Sequence, residues 1–67
     1  MSKAPAGREV LLEVVTVGAY AKVNAIDPET GTEISITGPA NADRAVLEAA
    51  AVRKLEFVLK KSRERKS

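Results

Sequence analysis

The stretch AIDPETGTEI, residues 25–34, contains the strongest turn signal in this 67-residue chain. Pro28 presets φ for the first position of a type I turn, and the Asp27 side chain can accept a hydrogen bond from a turn N–H. Gly31 adopts a positive φ without steric cost, so the chain can reverse there. A four-residue loop therefore predicts a hairpin in which Asp27 pairs with Thr32.

A second turn is predicted earlier in the chain, at Gly18-Ala19. Gly-X is typical of the two-residue turns that join antiparallel strands, so Val17 should pair with Tyr20. The two registers, set independently, place the same apolar residues on one face of a sheet. These residues are Val10, Leu12, Val14, Ala21, Val23, Ala25, Ile34 and Ile36. Because a slip of one residue would turn every side chain to the other face, this agreement predicts an antiparallel meander.

The C-terminal part of the chain predicts a helix. Gly38-Pro39 ends the third strand, and Asn41 or Asp43 is a candidate N-cap. Good helix formers and apolar residues at helical spacing then continue from about residue 42 to residue 61. The broad apolar face of this helix, expected to cover the sheet, contains Leu47, Ala51, Val52, Leu55, Val58 and Leu59. The fold class is therefore α+β: a three-stranded antiparallel β-meander followed by one C-terminal α-helix packed on one sheet face (βββα).

Length and composition restrict the class of protein. The chain is one small domain, which we expect over residues 8–61, after a disordered segment at 1–7 and before a flexible basic tail at 62–67. Cys and His are absent, which excludes disulfides and thiolate metal sites and removes the commonest general base and the thiol nucleophile. No apolar run could span a bilayer and no signal peptide is visible. We expect a cytoplasmic, non-enzymatic protein with no cofactor, no bound metal and no membrane partner.

Apolar surface predicts self-association. So small a domain, without disulfides or metals, often gains stability by oligomerising. Apolar residues also recur on the sheet face away from the helix and in a second, narrower helix stripe. These candidate interface residues are Leu11, Val15, Tyr20, Ile26, Val46 and Phe57. Contiguous exposed apolar surface usually marks an interface, whereas scattered surface aliphatics are normal. We predict a protein-interaction module that forms a homodimer or binds another protein, through the open sheet face, the second helix stripe or a strand edge.

The basic C-terminus supports an alternative function. Its last residues, KKSRERKS, carry five basic side chains and one acidic one. The candidate nucleic-acid contacts are Lys60, Lys61, Arg63, Arg65 and Lys66. Lys and Arg bind phosphates in a salt-dependent manner, but a short charged terminus is more often a solvated helix end. Aromatic side chains that stack on bases are limited to Tyr20 and Phe57. The alternative is a nucleic-acid-binding accessory protein.

The runs REVLLEVVTVGAYAKVNAIDPETGTEISITGP and RAVLEAAAVRKLEFVLKK resemble a small, uncharacterised bacterial domain family of unknown function. Its members similarly join a strand pair, a DPETG turn, a GP step and a helix ending in RKLE-aromatic-VLKK. The resemblance covers residues 8–61. It implies strands followed by a C-terminal helix, and it implies no activity and no catalytic, cofactor or binding residue.

Overall fold

The computed structural model describes residues 9–66, with the side chains of residues 9–62. The elements follow in the order β1 (Leu11–Val17), β2 (Tyr20–Asp27), β3 (Thr32–Pro39) and α1 (Arg44–Lys66). The strands form one antiparallel sheet in the order β1-β2-β3, and α1 packs against β2 and β3. The predicted α+β class and βββα order are confirmed. The N-terminal segment predicted at 1–7 lies outside the described residues.

Both predicted hairpin registers are confirmed. The two turns place Gly18 at φ +58° and Gly31 at φ +77°, in the left-handed region that glycine enters at little cost. In the second turn, the Asp27 carbonyl accepts a hydrogen bond from Gly31 N at 2.8 Å. The buried Asp27 carboxylate also accepts one from the Thr30 hydroxyl at 2.9 Å. The DPETG turn is therefore held by both backbone and side-chain bonds.

The helix is capped as the sequence predicts but extends further. Of the two candidate N-caps, Asp43 is the one observed, because its Oδ1 accepts a hydrogen bond from Ala45 N at 3.0 Å. The helix then continues past the predicted end at residue 61 to Lys66, since the last residues are good helix formers. The prediction of a flexible tail over 62–67 concerns side chains that lie mostly outside the described residues.

The core lies where α1 covers β2 and β3. Its buried apolar residues are Ala21, Val23, Ala25, Ala51, Leu55 and Leu59. Packed around these are the half-buried side chains of Val10, Val14, Ile34, Ile36 and Leu47. Leu12 has the same position in the apolar pattern as the core residues, yet it is 39% exposed. Leu12 lies on the predicted face, but the expectation that the helix would cover it there is wrong, because α1 lies over β2 and β3 rather than over β1.

A row of residues across the inner face of the sheet, the face toward α1, explains this offset. Thr16 of β1, Ala21 of β2 and Gly38 of β3 lie side by side, so side-chain size falls toward β3. A Cβ at Gly38 would lie 2.6 Å from Leu47 Cδ2 of the helix. The helix can approach β3 so closely because that position is glycine. The β1 side of the inner face is left open.

Candidate interaction surface

The structure leaves most of the predicted interface residues accessible. Leu11, Val15, Tyr20, Val46 and Phe57 are exposed, and Ile26 is half-buried. They lie on two separate surfaces, because the outer face of the sheet, away from α1, carries four of them and the helix carries two.

Apolar side chains on the outer face form two groups. The first, here called the turn-end cluster, contains Val15, Val17, Tyr20 and Pro39. Leu11 and Ile26 are paired at the opposite end of the sheet. Between the two groups runs a polar row in which Asn24 Nδ2 donates a hydrogen bond to Glu13 Oε1 at 3.2 Å. The predicted residues on this face therefore do not form one continuous patch in a single copy.

The second helix stripe is also interrupted. Val46 and Phe57 are each 61% exposed, but eleven residues of helix place them about 16 Å apart. Arg53 is exposed on the same side of the helix between them. The Lys61 ammonium lies 5.8 Å from the centroid of the Phe57 ring, at a distance typical of a cation–π contact. The stripe is thus a mixed, partly charged surface.

The sequence predicted a strand edge as one possible interface, but it did not indicate that the β1 edge in particular would be available. This strand, LLEVVTV, has one charged residue, and all of its side chains except the half-buried Val14 are exposed. An apolar strand that is open on both faces is unusual. Sequence periodicity placed alternate residues of β1 on the face expected to lie under the helix. The decrease in side-chain size from Thr16 to Gly38 is the signal that α1 would lie over β3 and leave β1 uncovered.

The hydrogen-bonding groups of β1 are open as well. Because Val17 and Tyr20 flank a two-residue turn, they exchange bonds with each other, and the pattern alternates along the strand. Leu12, Val14 and Thr16 therefore direct their N–H and C=O groups away from β2, toward the free edge. No side chain of residues 9–62 forms a hydrogen bond with these outward groups. The edge can therefore accept another strand.

The β3 edge is different. The same alternation directs the backbone groups of Glu33, Ser35 and Thr37 outward. Lys54 of α1 reaches across this edge, and its Nζ donates a hydrogen bond to the Ser35 carbonyl at 3.2 Å. A lysine over a strand edge is one of the devices that prevents pairing with other chains. Among the described residues, a side chain protects the β3 edge and none protects the β1 edge.

Two open cavities adjoin these surfaces. One of about 580 Å³ lies at the turn end of the sheet, where Tyr20, Pro39 and Asn41 contribute to its lining. The other, of about 290 Å³, lies on the inner face between β1 and the beginning of α1, lined in part by Thr16 and Arg44. The smaller cavity is the space that α1 leaves uncovered beside β1.

The described residues show no assembled chemical site. Among the described side chains of residues 9–62, no group of three potential ligands could hold a metal ion. No helix of the described residues has the length and apolar character that a membrane crossing needs. Of the predicted nucleic-acid contacts, Lys60 and Lys61 are exposed. The side chains of Arg63, Arg65 and Lys66 lie outside the described part of the chain.

Residues 7–62 match a family described as Domain of unknown function (DUF6898). The match covers most of the chain, so this protein belongs to that family. The resemblance to a small uncharacterised domain is confirmed. No curated protein and no solved structure matches the chain.

Proposed function

We propose that this chain is a non-enzymatic interaction module that forms a homodimer through β1. The observation that carries the proposal is the open β1 edge: apolar, exposed on both faces and bonded by no described side chain. Such an edge is a template for pairing with another chain. Antiparallel pairing of β1 with β1 of a second copy is isologous, so it closes as a two-fold dimer. The product is a single sheet containing both three-stranded sheets.

The register of this pairing follows from the strand itself. A two-fold axis at Val14, the middle of Leu11–Val17, pairs every residue of β1. Val14 then faces Val14 of the partner subunit, and Leu12 faces Thr16 of the partner subunit, so the outward N–H and C=O groups meet. A shift of the axis to Glu13 would place two carboxylates directly opposite each other, which destabilises antiparallel pairs.

Pairing in this register also brings the two separate apolar groups of the outer face together across the dimer. Leu11 lies opposite Val17 of the partner subunit, so the Leu11–Ile26 pair continues into the partner's turn-end cluster. Leu11, Tyr20 and Ile26 thus become parts of two continuous apolar rows. Val15 lies in the neighbouring row, between Lys22 and Glu13 of the partner subunit. Apolar contact across the two-fold adds to the backbone hydrogen bonds, each of which contributes about 0.5–1.5 kcal/mol net.

The test combines solution mass with a register-specific charge exchange. Light scattering across a dilution series should show two chains per particle, dissociating on dilution. In the proposed register Val15 faces Glu13 of the partner subunit, so Val15→Lys should tighten the dimer and Val15→Glu should weaken it. With two such pairs per dimer, Kd should change by about 2- to 30-fold. Glu13→Lys combined with Val15→Glu should restore dimerisation.

Phe57→Glu is the control, because Phe57 is as exposed as the β1 residues but lies on the outward side of α1; it should leave the mass unchanged. A monomer at all concentrations would overturn the proposal. A dimer whose Kd is the same in all of these charge variants would overturn the proposed register.

The nucleic-acid alternative stays a prediction. It depends on Lys60, Lys61, Arg63, Arg65 and Lys66, and among the described side chains Lys61 is engaged with the Phe57 ring. No contact among the described residues favours phosphate binding over a solvated helix end.

A further inference from the structure

We infer that the solvent-facing side of α1 binds an acidic amphipathic helix of another protein. The surface is a row of five exposed residues, here called the outer stripe: Val46, Ala50, Arg53, Phe57 and Lys60. At about 100° per residue, this row lies on the side of α1 opposite the core residues that face the sheet. Because one copy carries the whole surface, the site does not depend on the β1 dimer.

The spacing of the outer stripe selects a helix as the partner. Its members follow one another at alternating intervals of four and three residues, which is the a/d spacing of a coiled coil. Such a row runs almost parallel to the helix axis, over about 21 Å from Val46 to Lys60. A partner helix can therefore lie along the row, and the small side chain of Ala50 allows the two backbones to approach closely.

The charge of this part of the helix selects an acidic partner. Residues 53–61 carry four basic side chains, Arg53, Lys54, Lys60 and Lys61, and one acidic side chain, Glu56. All five are exposed, and none forms an ion pair with another described side chain. Lys54 is directed to the β3 edge, which leaves three cations on the outward side. Arg53 and Lys60 lie seven residues apart, so a helix with carboxylates one heptad apart can face both.

The apolar members of the stripe favour a protein partner over a polyanion. Val46 and Phe57 are each 61% exposed, and the Lys61 ammonium lies 5.8 Å from the centroid of the Phe57 ring. A phosphate backbone would neutralise the cations but would leave Val46 and Phe57 in water. Apolar residues of a partner helix can pack on both side chains while its carboxylates face the neighbouring cations. Phe and Arg are also among the residue types enriched in protein interfaces.

A second copy of α1 does not fit the outer stripe. Arg53 is the middle residue of the stripe, so antiparallel packing of two stripes would place the two Arg53 side chains against each other. Parallel packing would place each cation against the same cation of the other helix. Like charges brought together across an interface are strongly unfavourable. The partner is therefore a different chain, and one that carries negative charge.

The experiment uses the full-length chain and a fluorescent synthetic peptide of about 21 residues, which is three heptads. The peptide has leucines at the a/d spacing and glutamates at the positions that flank them, and the repulsion between glutamates keeps it from pairing with itself. Fluorescence anisotropy should show saturation at one peptide per chain, and the affinity should fall as salt is raised. A peptide with lysine in place of glutamate should not bind, nor should a scrambled peptide of the same composition.

Matched variants locate the site. Arg53→Glu should weaken binding by about three- to thirtyfold, because it replaces an attraction with a repulsion. Lys22→Glu makes the same change of net charge at an exposed residue on the far face of the sheet, and it should change the affinity by less than about twofold because salt screens that distance. Phe57→Ala should weaken binding by at least about tenfold with no change of charge. Arg53→Glu combined with Lys60→Glu should transfer the preference to the lysine peptide.

The absence of saturable binding by the acidic peptide would overturn the inference, as would equal weakening by Arg53→Glu and Lys22→Glu. Binding that Phe57→Ala leaves unchanged would be a general attraction to negative charge and would also overturn it. A duplex oligonucleotide that binds more tightly than the peptide, and is sensitive to Arg53→Glu but not to Phe57→Ala, would assign the cations to a nucleic acid instead. Circular dichroism establishes that each variant remains folded.

The outcomes are distinguishable from those of the β1 dimer. A monomeric chain that binds the acidic peptide at the outer stripe supports this inference and overturns the dimer. A dimer that does not bind the peptide overturns this inference and leaves the dimer standing.

Discussion

The two edge strands of this sheet have similar lengths, but a side chain of the helix bonds only one of them. β1 has seven residues and β3 has eight, and each pairs with β2 alone. Lys54 of α1 donates a hydrogen bond to an outward carbonyl of β3, whereas no described side chain does so for β1. The more apolar of the two strands is therefore the one left open. The position of the helix, rather than the strand sequences alone, decides which edge is available.

The first prediction concerns an outward N–H group of the β1 edge and has the largest expected effect. Thr16 and Thr37 are both exposed and both direct their N–H outward, from β1 and β3 respectively. Thr16→Pro removes an outward donor without breaking the β1–β2 ladder. Each dimer then loses two bonds and leaves their acceptors unsatisfied, which costs about 3 kcal/mol, or over a hundredfold in Kd.

Thr37→Pro is the matched control on the β3 edge and should leave the dimer intact by light scattering. Circular dichroism would establish that both variants remain folded. Equal dissociation of the two variants would mean that the two edges do not differ.

The second prediction tests whether the close approach of Leu47 to Gly38 explains why α1 covers β3 rather than β1. Gly38→Ala places a Cβ 2.6 Å from Leu47 Cδ2, so the leucine side chain must move. We expect a cost of about 1 kcal/mol of unfolding free energy, at the low end for overpacking, because the end of this side chain can rotate. Thr16→Ala, at the other end of the same row, removes little packing and should cost under about 0.5 kcal/mol. Urea unfolding at fixed chain concentration measures both.

Leu47→Ala in the Gly38→Ala background should cost less than it does alone, because it removes the clash. Additive effects of the two substitutions would show that the Gly38–Leu47 approach does not position the helix.

The smallest expected effect concerns the protection of β3. Lys54→Met keeps the aliphatic stem and removes the bond to the Ser35 carbonyl, at a cost below about 1 kcal/mol because the site is exposed. The uncovered edge should then pair weakly, so the mass at high concentration should exceed that of the dimer. Lys60→Met, on the same helix but with no hydrogen bond to a described strand residue, should not change the mass. Unchanged mass in Lys54→Met would assign no protective role to that lysine.

Much of the fold could be predicted from the sequence because its signals are local. Positive φ at Gly18 and Gly31 determines where the chain reverses, and the two-residue period of a strand then determines which residues pair. The Asp43 cap depends on its own side chain and the next helical turn. The exposure of Leu11, Val15 and Tyr20 followed from the same alternation, so part of the candidate interface could be predicted from the sequence.

Only the tertiary structure decided which strands the helix covers. Leu12 and Val23 have the same place in the apolar pattern, yet one is exposed and the other is buried. The difference arises because α1 spans the width of two strands and because Gly38, which has no side chain, lets Leu47 of the helix lie close to β3. The sequence by itself determined the registers, the faces and the order of elements, all of which depend on neighbouring residues. The open β1 edge depends on the lateral position of a helix, which is set by contact between residues distant along the chain.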